Sequence, residues 1–204
     1  MRINPQLTRQ VGEHLVTAEL GRRGFVATPF AGNLPDFDLM AGDAFGGFIP
    51  IQVKAINGPS WQFDIQQFLQ VEVVEDIQYV RGTVQLPLPD LLCVFVLLRE
   101  PGTDEFYILR MRDLQAHFKA TYLGGRRPRN PESMHCAIWP EELRDHRDRW
   151  QLVHDALLAV PLGVGIGGHP PDRSMRPSPN AAAAADPKPS GREGERDTED
   201  NHRL

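Results

Sequence analysis

Apolar residues recur at helical spacing near the start of the chain, in residues 5–25, PQLTRQVGEHLVTAELGRRGF. One stripe consists of Leu7, Val11, Leu15 and Ala18. This spacing predicts a first helix that packs through the stripe, and Gly24 is a stop signal just beyond it. Glu13, Val16 and Leu20 form a second line that is also mostly apolar. We therefore expect Glu13 to lie where the helix meets other elements.

Short apolar and alternating runs follow the helix and predict one sheet. A hairpin is expected between residues 37–41 and 48–56, joined by the glycine-rich residues 42–47. Further strands are predicted at 60–65, 91–98 and 105–109, and helical patterns at 113–123, 140–150 and 151–160. The unbroken apolar run at 91–98, LLCVFVLL, is typical of a central strand that is buried on both faces. Helix, strands and then helices indicate an α/β domain with one sheet.

The end of the chain has a different composition. Residues 163–204 are rich in Pro, Gly, Ala and charge and contain few large apolar residues. Such a segment buries too little apolar surface to offset the entropy of ordering. We expect a folded domain at residues 1–162 and a disordered tail at 163–204.

Charge and cysteine content narrow the function classes. The formal net charge of −5 argues against a protein that coats nucleic acid non-specifically, although it allows a local basic rim around acidic metal ligands. Cys93 and Cys136 match neither a disulfide framework nor a zinc pattern. No signal-peptide pattern is present, and the longest apolar run is too short to span a bilayer. These features predict a cytoplasmic protein without a membrane segment.

Four polar residues stand among apolar neighbours: Glu13, Asp38, Gln52 and Lys54. Strand alternation places Gln52 and Lys54 on one face of residues 48–56. Magnesium prefers hard oxygen ligands and usually takes one or two protein carboxylates. Asp38 and the amide oxygen of Gln52 could bind such an ion from adjacent strands, with Glu13 in support. Lys54 could then orient the attacking water or stabilise charge on a phosphate.

The segments GEHLVTAELGRRGF, PDFDLMA and IQVKA, in this order, resemble the PD-(D/E)XK nuclease superfamily. The first is similar to archaeal Holliday junction resolvases. The form QVK is similar to a bacterial branch that includes intron-associated homing endonucleases. The resemblance implies a restriction-endonuclease-like fold, with a central mixed β-sheet flanked by helices. It also implies that Glu13, Asp38, Gln52 and Lys54 match the catalytic positions, and that the protein cleaves DNA with Mg²⁺ or Mn²⁺. Because nucleases that cut both strands often act as dimers, it further suggests a homodimer.

Each signal has an alternative interpretation. Glu13 could be a surface charge paired with Arg9 one turn earlier. Asp36 competes with Asp38, since it lies on the same face if the stretch is extended. Gln52 and Lys54 could be the solvated face of a half-exposed strand. Glutamine also binds a metal more weakly than glutamate does. The alternative function is therefore a catalytically inactive binding or interaction module of a mobile-element or defence system.

Two further features of the sequence are candidates for contacts with DNA. Arg126, Arg127 and Arg129 form a basic cluster that could contact the phosphate backbone, although a solvated loop is the alternative. Trp61 and Phe63 follow the strand that carries Lys54. We interpret both aromatic residues as core and not as base-stacking groups.

Overall fold

The computed structural model describes residues 4–30, 37–122 and 128–160. The predictions for Asp36, Arg126, Arg127 and the tail at 163–204 lie outside these residues. The helices are α1 (Pro5–Arg22), α2 (Met111–Thr121) and α3 (Gln151–Ala159). The strands are β1 (Val26–Pro29), β2 (Leu39–Gly42), β3 (Phe48–Ile56), β4 (Trp61–Asp64), β5 (Leu69–Val74), β6 (Ile77–Thr83), β7 (Leu92–Leu97), β8 (Glu105–Arg110) and β9 (His135–Ile138).

The central sheet has five strands in the order β1-β2-β3-β7-β8. The β3–β7 pair is parallel and the other three pairs are antiparallel, so the sheet is mixed. The expected hairpin is present as β2–β3. All six residues of β7 are buried, as the unbroken apolar run predicts. The predicted α/β class, with a central mixed sheet flanked by helices, is confirmed.

Two apolar clusters cover the two faces of this sheet. Strand alternation divides β7 between them, with Val94 on one face and Phe95 on the other. The cluster on the Val94 face contains buried residues of α1 and α3, and the cluster on the Phe95 face contains those of α2, β4 and β9. On β3, Ile51 and Val53 belong to the α1 face. The intervening positions of β3 therefore face the opposite cluster.

Helix α1 packs differently from the sequence prediction. The Asn4 side chain caps it by accepting from two backbone N–H groups, and Gly24, at φ +84°, follows its end. The prediction that α1 packs through its first stripe is only partly right: Leu15 packs against the cluster on the α1 face, but Leu7 is 49% exposed and Ala18 is exposed as well. The buried residues of α1 are instead Thr8, Gly12, Val16 and Leu20. The second apolar line, which contains Glu13, is thus closer to the buried face.

Gly12 explains this orientation of α1. A Cβ atom at Gly12 would lie 2.4 Å from the Cβ atom of Ala55 on β3, closer than carbon atoms approach. The absence of a side chain lets the helix lie directly on the strand. Glycine counts as neither apolar nor polar in a hydrophobic pattern. The pattern therefore does not predict the contact that orients α1.

Other parts of the fold were not predicted. The hairpin β5–β6 forms a separate two-stranded sheet, and β9 pairs with β4 in another. The helical pattern predicted at 140–150 corresponds to a 3-10 helix at Pro140–His146 and not to an α-helix. No helix within the described ranges is long and apolar enough to cross a membrane.

Candidate functional site

Asp38 lies immediately before β2, beside β3. The β2–β3 register pairs Leu39 with Ile51, and its extension by one residue places Asp38 opposite Gln52. The Asp38 backbone N–H donates to the Ile51 carbonyl at 2.9 Å. Its side-chain Oδ2 accepts from the Val53 backbone N–H at 2.7 Å. Because main chain and side chain both bond to β3, the carboxylate is held in a fixed position against this strand.

Arg9 joins the helix to this carboxylate. Its Nε donates to Glu13 Oε1 and its Nη2 donates to Asp38 Oδ1, each at 2.9 Å. The Arg9 side chain is 48% exposed, whereas those of Glu13 and Asp38 are 14% and 10% exposed. The hydrogen bond to Glu13 is the main cause that raises the pKa of Arg9, so the guanidinium stays charged. One cation thus bridges two largely buried carboxylates.

Gln52 lies beside Cys93, its register partner on β7. The Cys93 thiol donates to Gln52 Oε1 at 4.0 Å, a weak contact because a thiol is a poor donor. Burial raises the pKa of the Cys93 thiol to about 12, while the charge of Lys54 lowers it and the charge of Asp38 raises it. The charges of Lys54 and Asp38 therefore both affect the Cys93 thiol. The contact with this thiol holds the Gln52 amide oxygen only loosely.

Lys54 lies on the same face of β3 as Gln52. Its Nζ is 5.3 Å from the centroid of the Phe63 ring, and its backbone carbonyl accepts from Trp61 Nε1 at 2.8 Å. Among the described residues, no carboxylate forms an ion pair with Lys54. Trp61 and Phe63 are 2% and 5% exposed, which confirms that both are core residues. The lysine ammonium thus lies against an aromatic ring, and no carboxylate of the described residues neutralises it.

The four predicted residues form two pairs in the structure and do not all meet at one point. Glu13 and Asp38 share Arg9, while Gln52 and Lys54 occupy the face of β3 that is opposite to α1. Asp38 connects the two pairs, because it lies opposite Gln52 and its charge reaches the same thiol as that of Lys54. No hydrogen bond or ion pair between described residues joins Glu13 directly to Gln52 or Lys54.

Two features of the candidate site do not follow from the sequence. Arg9 was considered only as a partner of Glu13, and nothing in the spacing pointed to its contact with Asp38. The sequence excludes Cys93 only from a disulfide framework and a zinc pattern, and its place beside Gln52 follows from the β3–β7 register. Arg129 is exposed, and no contact within the described ranges connects it to the four predicted residues.

The donor atoms suit a hard divalent cation. Asp38 and Gln52 offer a carboxylate and an amide oxygen from neighbouring positions, and Glu13 adds a second carboxylate nearby. This matches the one or two carboxylates that Mg²⁺ usually takes from a protein. In the described part of the chain, no group of three or more His, Cys, Asp or Glu side chains could hold a metal. The candidate pair of direct ligands is therefore Asp38 and Gln52, with Glu13 held near Asp38 through the Arg9 that both carboxylates share.

No protein-family model and no curated protein matches the chain. Among solved structures, the chain is similar to a bacterial homing endonuclease, with 13% sequence identity and a TM-score of 0.42. The alignment covers 75% of this chain and 95% of that one.

Proposed function

We propose that the protein is a Mg²⁺- or Mn²⁺-dependent DNA endonuclease of the restriction-endonuclease-like fold. The observation that carries the proposal is the placement of Asp38 against β3, opposite Gln52 and on the strand pair that also carries Lys54. The resemblance of the three sequence segments to PD-(D/E)XK nucleases supports the same assignment. DNA as substrate rests on that resemblance, since the side chains alone indicate only a phosphodiester.

Each residue has a role that its surroundings suit. Asp38 and Gln52 would hold the cation, and the Val53 N–H fixes the orientation of the Asp38 carboxylate. A bound Mg²⁺ would supply Lewis-acid polarisation of the phosphodiester. The Lys54 ammonium, which no described carboxylate pairs with, would stabilise negative charge on the phosphate or orient the attacking water. Glu13 would support the cation from α1.

The test is cleavage of plasmid DNA by the full chain with Mg²⁺, Mn²⁺ or a chelator. We expect cleavage that requires the cation and that falls about 10²–10³-fold in Lys54→Ala, the usual cost of removing one group that stabilises transition-state charge. Asp38→Asn should lose activity to a similar extent, because the amide keeps an acceptor for Val53 but lacks the charge. Cleavage that Lys54→Ala leaves unchanged would refute the assignment.

Matched controls separate the site from general charge effects. Lys119→Ala removes an exposed lysine of α2, and Glu100→Gln neutralises an exposed carboxylate in a loop. Neither residue contacts Glu13, Asp38, Gln52 or Lys54 within the described ranges, so both variants should cleave as the unaltered protein does. Equal losses in controls and site variants would show that the assay reports overall charge.

The bridging guanidinium favours a second candidate function. Arg9 already neutralises charge on Glu13 and Asp38, and Gln52 brings no charge of its own to the donor set. A non-catalytic nuclease-fold binding module of a mobile-element or defence system would have this arrangement. It predicts DNA binding by fluorescence anisotropy, with no cleavage in Mg²⁺ or Mn²⁺ at any protein concentration tested. Cation-dependent cleavage that Lys54→Ala abolishes would exclude it.

A further inference from the structure

Both oxygens of the Asp38 carboxylate accept a hydrogen bond in the structure. Its Oδ2 accepts from the Val53 N–H at 2.7 Å, and its Oδ1 accepts from Arg9 Nη2 at 2.9 Å. The same guanidinium binds Glu13 through Nε. A divalent cation that coordinates Asp38 would therefore lie close to a positive charge that is already bonded to the same carboxylate. Water screens little of the repulsion between the Arg9 guanidinium and the divalent cation here, because the carboxylates of Glu13 and Asp38 are both largely buried.

The Arg9 side chain is more exposed than the carboxylate that it binds. It is 48% exposed, so the guanidinium can move into water, whereas Asp38 is fixed by bonds to β3. Leaving has a cost, because partly buried ion pairs with hydrogen bonds are lost. A phosphate can offset that cost, since the planar guanidinium binds carboxylate and phosphate with the same paired geometry.

We propose that Arg9 is an internal counter-ion that competes with the divalent cation for Asp38 and Glu13 and is released to a phosphate of the bound DNA. This inference rests on the proposed function and adds its regulation. In the absence of DNA, Arg9 keeps metal affinity low. DNA removes the competitor, so DNA and metal bind cooperatively and each increases the affinity for the other. Unproductive metal loading is thereby limited until substrate arrives.

Direct metal binding in the absence of DNA tests the competition. Mn²⁺ would be titrated by calorimetry and by the shift in melting temperature, using the full chain and Arg9→Gln. We expect Arg9→Gln to bind Mn²⁺ about tenfold more tightly, in line with the loss of two partly exposed ion pairs. Arg22→Gln is the matched control, because Arg22 pairs with Glu19 on the same helix, away from Asp38. It should bind as the unaltered protein does.

The outcomes distinguish this inference from the proposed function. Equal Mn²⁺ affinity in Arg9→Gln and in the unaltered protein, with binding abolished in Asp38→Asn, overturns the role of Arg9 and leaves the metal site standing. No Mn²⁺ binding in any variant without DNA overturns the role of Arg9, and no Mn²⁺ binding in the presence of the duplex either overturns both proposals. If Arg9→Gln does not fold, Arg9→Lys is used, because a lysine keeps the charge but lacks the second arm of the fork; it should show an intermediate gain in affinity.

The role of DNA is tested by the same titration with a short duplex present. Lys54→Ala is the background for both proteins, so that cleavage does not consume the duplex. The duplex should increase Mn²⁺ affinity when Arg9 is present, and this increase should shrink several-fold in Arg9→Gln. An equal increase with and without Arg9 would show that the phosphate does not act through this residue, and would overturn its release to DNA.

Discussion

The contact between Gly12 of α1 and Ala55 of β3 gives a sharp prediction about stability. In Gly12→Ala, the new Cβ atom would lie 2.4 Å from the Ala55 Cβ atom. Carbon atoms pack at about 3.5–4.0 Å, so α1 and β3 must separate by about 1 Å. The Ala55 Cβ atom is attached directly to the backbone and cannot rotate away. The helix as a whole must therefore move.

The magnitude follows from two opposing terms. Overpacking a well-packed contact costs about 1–3 kcal/mol, and this contact belongs at the upper end because neither side can yield. Alanine is about 1 kcal/mol better than glycine inside a helix. We expect Gly12→Ala to lower the free energy of unfolding by about 2 kcal/mol. Gly21→Ala is the control in the same helix, because its Cβ atom would have no neighbour within 4 Å, and it should be neutral or stabilising.

Urea denaturation followed by circular dichroism measures both changes. The double variant Gly12→Ala with Ala55→Gly moves the methyl group from the strand to the helix, so it should recover most of the loss. If Gly12→Ala is as stable as the unaltered protein, or if the double variant shows no recovery, the close approach of α1 to β3 does not set its orientation and the reasoning is wrong.

The remaining predictions concern two ionisable groups, Cys93 and Glu105. Burial raises the pKa of Cys93 to about 12, so Cys93 should resist a thiol-reactive dye at pH 8 until the protein is denatured. Because the unfolded thiol ionises near pH 8.5, unfolding free energy should fall as pH rises above that value, less so in Cys93→Ala. The hydrogen bond from Tyr107 is the main cause that lowers the pKa of Glu105. Tyr107→Phe should therefore cost about 1 kcal/mol at pH 7 and less below pH 4, as denaturation at the two pH values would show.

The sequence predicted those parts of the fold whose signals are local. The β2–β3 hairpin follows from two alternating runs around a glycine-rich turn, and β7 follows from eight consecutive apolar residues. The packing face of α1 was misjudged, because its closest contact is made by a glycine. The β4–β9 pair was not predicted for a different reason. It joins residues that are far apart in the chain, and a four-residue strand has little pattern of its own.

The candidate site likewise has one part that follows from local sequence and another part that does not. The proximity of Asp38 to β3 could be predicted, since hairpin partners are close by construction. The Arg9–Asp38 bond spans 29 residues and the Cys93–Gln52 contact spans 41. Both depend on how α1 and β7 dock against β3, which no spacing within a single segment specifies. Residue types therefore indicated the chemistry, whereas tertiary packing decided which charges meet.

The docking of α1 thus connects stability with the proposed regulation. Gly12 precedes Glu13, and the same helix carries Arg9, so a shift of α1 away from β3 would lengthen the Arg9–Asp38 bond while Asp38 stays fixed by the Val53 N–H. A helix displaced by about 1 Å would weaken a hydrogen bond of 2.9 Å considerably. Gly12→Ala should then resemble Arg9→Gln in binding Mn²⁺ more tightly without DNA, although its Arg9 is intact. A competitor whose strength depends on helix position would give that result, whereas a shift that acted only through the support from Glu13, which lies on the same helix, would weaken Mn²⁺ binding.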